Sequence, residues 1–132
     1  MQYEPTLSRA QLIDLALQRY FANVDRKDMA AVLDCFHEEA LFCVQTAHTR
    51  HSGKNEIRRM FEDFFAARAD IVHKDFVCTV DEKNGRITAS FEAVLTGHDG
   101  RKVNFFNTNF WRIREGKFQE VYVYFSDENV LV

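Results

Sequence analysis

Two amide side chains occupy positions of a β-like run where apolar residues are expected. Asn107 and Asn109 share one face of the run 101–114 with apolar neighbours, namely Val103, Phe105, Trp111 and Ile113. A buried amide without a hydrogen-bond partner costs roughly 1 to 3 kcal/mol, so we expect both amides to line a wet or ligand-filled cavity. The alternative is a β-bulge that turns one of them toward solvent.

His73 is the side chain best suited to proton transfer, because imidazole titrates close to neutral pH. It lies at the start of a predicted strand, in the segment Val-His-Lys-Asp-Phe over residues 72–76. A histidine in this position is also compatible with a structural or merely exposed role. His48 and His51 stand three residues apart in a predicted loop at the rim of the domain, but two ligands without a third do not make a metal site.

The sequence contains none of the common motifs for phosphate binding, metal catalysis or nucleophilic serine catalysis. It contains no glycine-rich phosphate loop, no His-Glu-x-x-His helix and no Gly-x-Ser-x-Gly elbow. We therefore predict neither a metal nor a cofactor. The net charge is −3, with 17 basic and 20 acidic residues mixed along the chain, so a nucleic-acid partner is not expected.

Length and composition indicate a single domain over residues 1–132. Apolar residues make up 46% of the chain and aromatic residues 14%, which favours a packed globular core over disorder. The three cysteines lack the short spacing of a zinc site and are expected to be reduced thiols. No apolar run has the length of a signal peptide or of a membrane span, so we expect a cytoplasmic protein without a membrane contact.

The first half of the sequence has helical periodicity. Ser8 followed by Gln11 forms a capping-box pattern, which predicts a helix from Ser8 to Asn23. Its inward face would carry Ile13, Leu17, Tyr20, Phe21 and Val24. Asp28 is a suitable cap for a second helix that ends near His37. A third amphipathic helix would place inward Ile57, Met60, Phe61, Phe64 and Phe65.

The second half has the two-residue period of β-strands. Five strands are predicted: Ala40 to Thr46, Ile71 to Asp81, Arg86 to Gly97, Arg101 to Arg114 and Lys117 to Ser126. A polar loop from Ala47 to Lys54 follows the first strand. Three dipeptides suited to tight turns separate the other four strands: Asn84-Gly85, Asp99-Gly100 and Glu115-Gly116. The prediction is an α+β domain with an antiparallel meander.

The last strands are apolar on both faces. Phe106 and Phe110 oppose the Asn107 and Asn109 face, and Tyr122 and Tyr124 likewise oppose the valines at positions 121 and 123. Three helices can cover only one side of a five-stranded sheet. The other side would remain exposed in a monomer, which predicts a homodimer that pairs the outer sheet faces.

Several segments together resemble the nuclear transport factor 2-like superfamily, which includes SnoaL-like polyketide cyclases and ketosteroid isomerases. They are the run 17–22 followed by Asp28, Leu33 and Phe36 to Ala40; Gly53-x-x-x-Ile57 with Phe64-Phe65; and Gly116-Lys117 with Tyr124 and Asp127. The resemblance spans nearly the whole chain. It implies a cone: a curved antiparallel sheet packed by three N-terminal helices, with a ligand entering at the open end.

The resemblance also implies roles for individual residues. Ketosteroid isomerases use an aspartate base and an oxyanion hole made by a tyrosine and a protonated aspartic acid. By resemblance, Tyr20 falls on the tyrosine and Asn109 on the acid, where an amide N–H can still donate. The aspartate base falls on Val44, which cannot take a proton, so isomerisation by that route is not expected. Dehydratase-like and cyclase-like relatives place a histidine where His73 stands.

These residues lead to three open hypotheses about function. In the first, Tyr20, His73 and Asn109 polarise a carbonyl and move an adjacent proton, as in a cofactor-independent lyase, isomerase or cyclase. In the second, the cone binds a small hydrophobic molecule without turnover, and in the third it is an assembly module. The residues expected to surround the ligand are Val44, Phe61, Phe65, Phe91, Phe105, Asn107, Trp111, Val121 and Val123.

Overall fold

The computed structural model describes residues 5–132, in which helices pack on one face of a curved sheet. The first helix, α1, is α-helical over Arg9–Asp14, widens to a π-helix over Leu15–Phe21 and returns to an α-helix over Ala22–Asp25. The other helices are α2, Met29–Asp34, and α3, Lys54–Ala67. The strands are β1, Phe36–Val44; β2, Thr49–Ser52; β3, Asp70–Asp81; β4, Arg86–Thr96; β5, Lys102–Arg114; and β6, Lys117–Tyr124.

The predicted capping box at the start of α1 is confirmed. The Ser8 hydroxyl accepts a hydrogen bond from the Gln11 N–H at 3.2 Å, and the Ser8 N–H donates to the Gln11 side chain at 2.9 Å. These two bonds satisfy backbone and side-chain groups that the first helical turn leaves free. Asp28 caps α2 as predicted, by accepting from the Ala31 N–H at 3.1 Å.

The π-helical segment changes which residues of α1 face the sheet. The Ala22 N–H donates to the Leu17 carbonyl, five residues back, so the helix gains an extra residue in that turn. Successive buried residues on this face are consequently five positions apart: Tyr20 follows Leu15, and Phe21 follows position 16. Ile13 and Leu17, which a regular helix would turn inward, are only partly buried.

The sheet has the order β2-β1-β6-β5-β4-β3. Strands β3 to β6 form the predicted antiparallel meander. The sheet is nevertheless mixed, because β1 runs parallel to β6, with Phe42 opposite Val121 and Val44 opposite Val123. The predicted α+β architecture, a curved sheet packed by N-terminal helices, is confirmed with this one parallel pair.

The segment between residues 34 and 54 differs from the prediction, and β1 spans Phe36–Val44 instead of Ala40 to Thr46. Helix α2 ends at Asp34 instead of near His37, since Phe36 already pairs with Phe118 and the Phe118 N–H donates to the Cys35 carbonyl at 2.7 Å. The predicted polar loop contains a sixth strand, β2, which pairs with β1. Pairing with the sheet edge, and not apolar alternation, orders this polar segment.

The turn from β5 to β6 follows the chemistry expected of its two residues. Glu115 and Gly116 both have positive φ, 51° and 79°, as a two-residue hairpin turn requires. Gly85 adopts φ of 64° after a short 3₁₀ turn, again in agreement with the sequence. The Gly85 turn joins β3 to β4 and the Glu115-Gly116 turn joins β5 to β6, so each of these pairs is antiparallel.

Helices α1 and α3 cover one face of the sheet, and the core lies between these two layers. Aromatic rings dominate it: Tyr20 contacts Phe36, Phe61, Trp111 and Phe118 with ring centroids 5.4 to 6.3 Å apart. Such edge-to-face pairs add to the free energy of burial. Within residues 5–132, no helix combines the length and hydropathy needed to cross a membrane.

Val121 allows a test of this layer arrangement. It is fully buried on β6, whereas Val77 on β3 is 70% exposed. We expect Val121→Ala to lower the free energy of unfolding by about 2 kcal/mol, since it removes two buried methyl groups and leaves a cavity. Val77→Ala is the matched control and should change it by less than about 0.5 kcal/mol. Urea titration measures the free energy of unfolding of both variants. Equal losses would contradict the position of Val121 between the two layers.

Candidate functional site

A cavity lies between α1, α3 and the inner face of the sheet, and most of its wall is apolar. The polar residues of the wall are Tyr20, His73, Asn107 and Asn109. The space between the lining atoms, including the mouth, is about 410 Å³, of which about 30 Å³ admits the centre of a water molecule. The cavity is therefore narrow.

The cavity brings together residues that are far apart in the sequence. The three residues predicted to carry chemistry all line it, together with five of the residues predicted to surround a ligand: Phe61, Phe91, Phe105, Asn107 and Val123. They come from α1, α3 and four strands. The expected roles of these residues remain predictions.

His73 forms a hydrogen-bonded pair with Asp25. Its ring Nδ1 lies 2.5 Å from Oδ1 of Asp25, and its backbone N–H donates to Oδ2 of the same carboxylate at 2.9 Å. The side chain of His73 is 9% exposed and that of Asp25 is 24% exposed. A carboxylate on Nδ1 fixes the tautomer and the ring orientation, so Nε2 is the nitrogen open to a ligand.

The position of each partner explains this pairing. Asp25 is the last residue of α1, four residues after Phe21, and thus lies on the same side of the helix one turn later. The Phe21 ring packs on the His73 ring with centroids 4.5 Å apart. β3 is an edge strand, so the His73 N–H has no strand partner on that side and bonds to Asp25. Sequence analysis did not identify Asp25, which lies in a polar run without apolar periodicity.

Tyr20 lies inside the aromatic core and its side chain reaches the cavity wall. The residue is 3% exposed. Burial raises the pKa of the Tyr20 hydroxyl far above its usual value near 10, and the nearby Cys35 and Asp25 raise it further. The hydroxyl consequently remains protonated and is a hydrogen-bond donor at every physiological pH.

Asn109 has a polar atom without a partner in the cavity wall. The residue is 2% exposed, and among residues 5–132 no group forms a hydrogen bond with its Oδ1. On the next inward-facing position, the Trp111 Nε1–H is also buried without a partner in the described part of the chain. An unsatisfied buried polar atom is costly, so a group that donates a hydrogen bond to Oδ1 of Asn109 would be bound favourably there.

Asn107 faces the same cavity, but its amide is engaged. Its Oδ1 accepts a hydrogen bond from the Ser126 N–H at 3.2 Å. Both amides lie on the inner face of β5, where Asn107 is opposite Phe91 and Asn109 is opposite Ala89. The bulge that would have turned one amide outward does not occur in this part of β5.

Four residues predicted to surround a ligand are buried elsewhere in the core. Val44, Phe65, Trp111 and Val121 are 0 to 9% exposed, and none of them lines this cavity. Trp111 and Val121 are opposite each other in the sheet, and the ring of Tyr20 packs against Trp111 with centroids 6.1 Å apart. Trp111 and Val121 thus belong to the part of the core that is filled by side chains.

Charged groups are kept away from the cavity wall. Among residues 5–132, no Lys, Arg, Asp or Glu lines it, and no group of three or more metal-ligand side chains occurs.

His51, predicted at the rim, lies in β2 and is 2% exposed, with Nε2 bonded to the Leu131 carbonyl. The Cys35 thiol is buried, which raises its pKa to about 11, so it stays protonated.

The raised pKa of Tyr20 predicts a specific loss of stability in alkali. The unfolded chain releases the tyrosine proton above about pH 10, whereas the folded chain keeps it, so the free energy of unfolding falls as pH rises from there. We expect Tyr20→Phe to reduce this slope by up to about 1.4 kcal/mol per pH unit. Urea titrations at about pH 9, 10 and 11 measure the slopes. Identical slopes in both proteins would be the contrary result.

Comparison with known proteins agrees with this geometry. No functionally curated protein matches the sequence. Many solved structures share the fold, among them the following three. A proposed polyketide cyclase from Xanthomonas campestris is 18% identical, with a TM-score of 0.79 over 88% of this chain and 90% of the other. A proposed aromatic ring hydroxylase from Novosphingobium aromaticivorans is 27% identical, with 0.74 over 93% and 94%. A proposed ketosteroid isomerase from Kribbella flavida is 14% identical, with 0.70 over 91% and 81%.

Membership of a family rests on the sequence match. The sequence model of the SnoaL-like domain matches residues 17–121, which include α1 from Leu17 onward, α2, α3 and every strand up to the middle of β6. Tyr20, Asp25, His73 and Asn109 all lie within the matched region. The chain belongs to the SnoaL-like domain family.

Proposed function

We propose that the protein binds a small, neutral, largely apolar carbonyl compound and catalyses a proton transfer next to the carbonyl group. His73 is the general base, Asp25 orients it, and Asn109 with Tyr20 hydrogen-bonds the carbonyl oxygen. The observation that carries this proposal is that His73, which is paired with Asp25, lines an apolar cavity together with Asn109, whose amide oxygen has no partner among residues 5–132.

The pairing with Asp25 supports the role of His73 as a base. The carboxylate accepts a hydrogen bond from the Nδ1–H group, so the lone pair of the neutral ring is on Nε2. When Nε2 takes a proton from the carbon next to the carbonyl, the C–H electron pair moves toward the oxygen and an enolate forms. The imidazolium that results is stabilised by Asp25 and returns its proton to another atom of the product.

The amide of Asn109 suits both forms of such a ligand. Its unpartnered Oδ1 accepts a hydrogen bond from an enol hydroxyl, and the N–H groups of the amide donate to a carbonyl or an enolate. The protonated Tyr20 hydroxyl is a second donor. Preorganised donors in a site of low dielectric stabilise a developing oxyanion more strongly than water does.

The wall of the cavity supports the proposed class of ligand. Its aromatic and aliphatic side chains favour an apolar molecule, and the lack of a lysine or arginine in it disfavours a carboxylate or phosphate group. The structural relatives are proposed to act on polyketides, aromatic rings and steroids, which are three classes of largely apolar molecule. Val44 stands where ketosteroid isomerases have their aspartate base, and it cannot take a proton. We therefore do not expect isomerisation by that route.

Phenylacetone, a one-ring ketone, allows a direct test of proton abstraction. In D₂O the protein should accelerate exchange of the protons next to the carbonyl, which proton NMR follows as loss of their signals. We expect His73→Gln to lower the exchange rate by about 10²- to 10⁴-fold, the usual contribution of a positioned base. Asp25→Asn should lower it less, since the base remains but loses its orientation.

The control for this test is ligand affinity. Both variants should bind the ketone as well as the wild type, because neither residue supplies much of the apolar wall. Exchange at the rate of buffer alone, despite binding, would support the alternative of a non-catalytic small-molecule binder. Equal loss of binding and exchange in His73→Gln would contradict the assigned role.

We also propose that the protein forms a homodimer through the outer sheet face. Phe106, Phe110 and Tyr124 are 67%, 44% and 43% exposed there, and the rings of Phe110 and Tyr124 lie 5.6 Å apart. Exposed aromatic residues that adjoin one another are typical of the centre of an interface. A second copy with the same surface is the partner that symmetric pairing provides.

Phe106→Glu together with Phe110→Glu tests the dimer. Burying these charges would be costly, so we expect light scattering at micromolar concentration to give twice the mass of one chain for the wild type and one chain mass for the variant. Arg58→Glu, on the exposed side of α3, is the control and should leave the mass unchanged. A wild-type protein with the mass of one chain would overturn this proposal.

A further inference from the structure

The chain that follows β6 crosses the mouth of the cavity. We call residues 125–132 the strap. Three of its apolar residues, Phe125, Val130 and Leu131, line the cavity, and Leu131 is only 8% exposed. Residues 126–128 of the strap are exposed and belong to no strand or helix. The strap is thus a wall of the cavity without secondary structure.

One end of the strap is joined to the sheet near the cavity. The Ser126 N–H donates to Oδ1 of Asn107 at 3.2 Å, and the Ser126 hydroxyl accepts from the Phe106 N–H at 2.9 Å. The Phe125 N–H donates to the Thr46 hydroxyl at 3.2 Å. This end continues directly from β6 and is held by both β5 and the turn after β1.

The other end is held by a hydrogen bond from Nδ2 of Asn129 to the Thr49 hydroxyl at 3.3 Å and by two side chains, His51 and Arg59, that we call the clasp. The Leu131 carbonyl accepts from Nε2 of His51 at 3.0 Å, and the Val132 carbonyl accepts from Nη2 of Arg59 at 3.1 Å. The same Nη2 lies 3.4 Å from Nδ1 of His51. Since Nε2 donates, Nδ1 is an acceptor, and the two clasp residues orient each other.

The size of the cavity shows that the wall must move for a ligand to enter. Only about 30 Å³ admits the centre of a water molecule, whereas an engineered apolar cavity that binds benzene measures about 150 Å³. The remaining walls are helices and paired strands in a close-packed core. The strap, by contrast, contains no helix or strand hydrogen bonds, so its displacement leaves the helices and the paired strands intact.

We propose that the strap is a displaceable wall whose release from the His51–Arg59 clasp admits the ligand, and that Leu131 limits the size of the ligand. This inference rests on the proposed function, since it assumes that the cavity binds a small molecule.

Hydrogen–deuterium exchange tests the clasp without a ligand. We expect Arg59→Met to increase exchange in the strap peptide about tenfold, because it removes the charge-assisted bond to Val132. Two variants of α3 are matched controls. Arg58→Met makes the same substitution at an exposed neighbour, and Asp63→Asn removes the Arg59–Asp63 ion pair at 2.9 Å but leaves the clasp. Both should exchange like the wild type, and an unchanged strap in Arg59→Met overturns the proposal.

Two fluorescent probes test whether the clasp controls ligand access. 2-Naphthol has two rings, and the larger N-phenyl-1-naphthylamine has three. Stopped-flow fluorescence should show faster association of both probes with Arg59→Met than with either control variant. A strap that is released in Arg59→Met while both probes associate at the wild-type rate overturns the proposal and leaves the proposed function intact.

Leu131→Ala tests the size limit. We expect it to strengthen binding of N-phenyl-1-naphthylamine by about tenfold relative to 2-naphthol, because the larger probe fills the space that the leucine leaves. Val132→Ala is the control, since Val132 is 62% exposed and does not line the cavity. An unchanged ratio of the two affinities overturns the role of Leu131. Failure of every variant to bind either probe would instead refute the proposed function itself.

Discussion

Packing of Tyr20 and Phe21 against the sheet is the interaction on which the site depends. The five-residue step of the π-helix turns both rings inward, where they fill the narrow part of the cone beside Trp111 and Phe91. The free space is thereby confined to the wide end. One helical turn after Phe21, Asp25 comes to lie next to His73. The same packing therefore forms the floor of the cavity and assembles the His73–Asp25 pair.

The apolar wall determines how much each polar group contributes. In such surroundings an unpartnered amide or hydroxyl is costly, and a hydrogen bond to a ligand is correspondingly favourable. Oδ1 of Asn109 has no hydrogen-bond partner among residues 5–132, whereas Oδ1 of Asn107 accepts a hydrogen bond from Ser126 of the strap. Two amides that look equivalent in the sequence therefore differ in the structure.

Local sequence patterns predicted the features that depend on interactions between residues close in the sequence. The capping box at Ser8 and the Glu115-Gly116 turn involve groups within four residues, so their chemistry can be read from the sequence directly. The alternation along β4 and β5 likewise predicted which side of each strand is buried. The π-helical step, strand β2 and residue Asp25 were not predicted. Each of them depends on contacts with residues distant in the sequence.

The sequence alone determined the fold class, the inward face of β5 with its two amides and the histidine that could transfer a proton, because periodicity and residue type are sufficient for these. Only the tertiary structure decided which amide is free, which carboxylate orients His73 and that Trp111 and Val121 lie below the cavity. Those outcomes depend on distances between α1, β3, β5 and the strap, and such distances are set by packing across the whole core rather than by any local pattern.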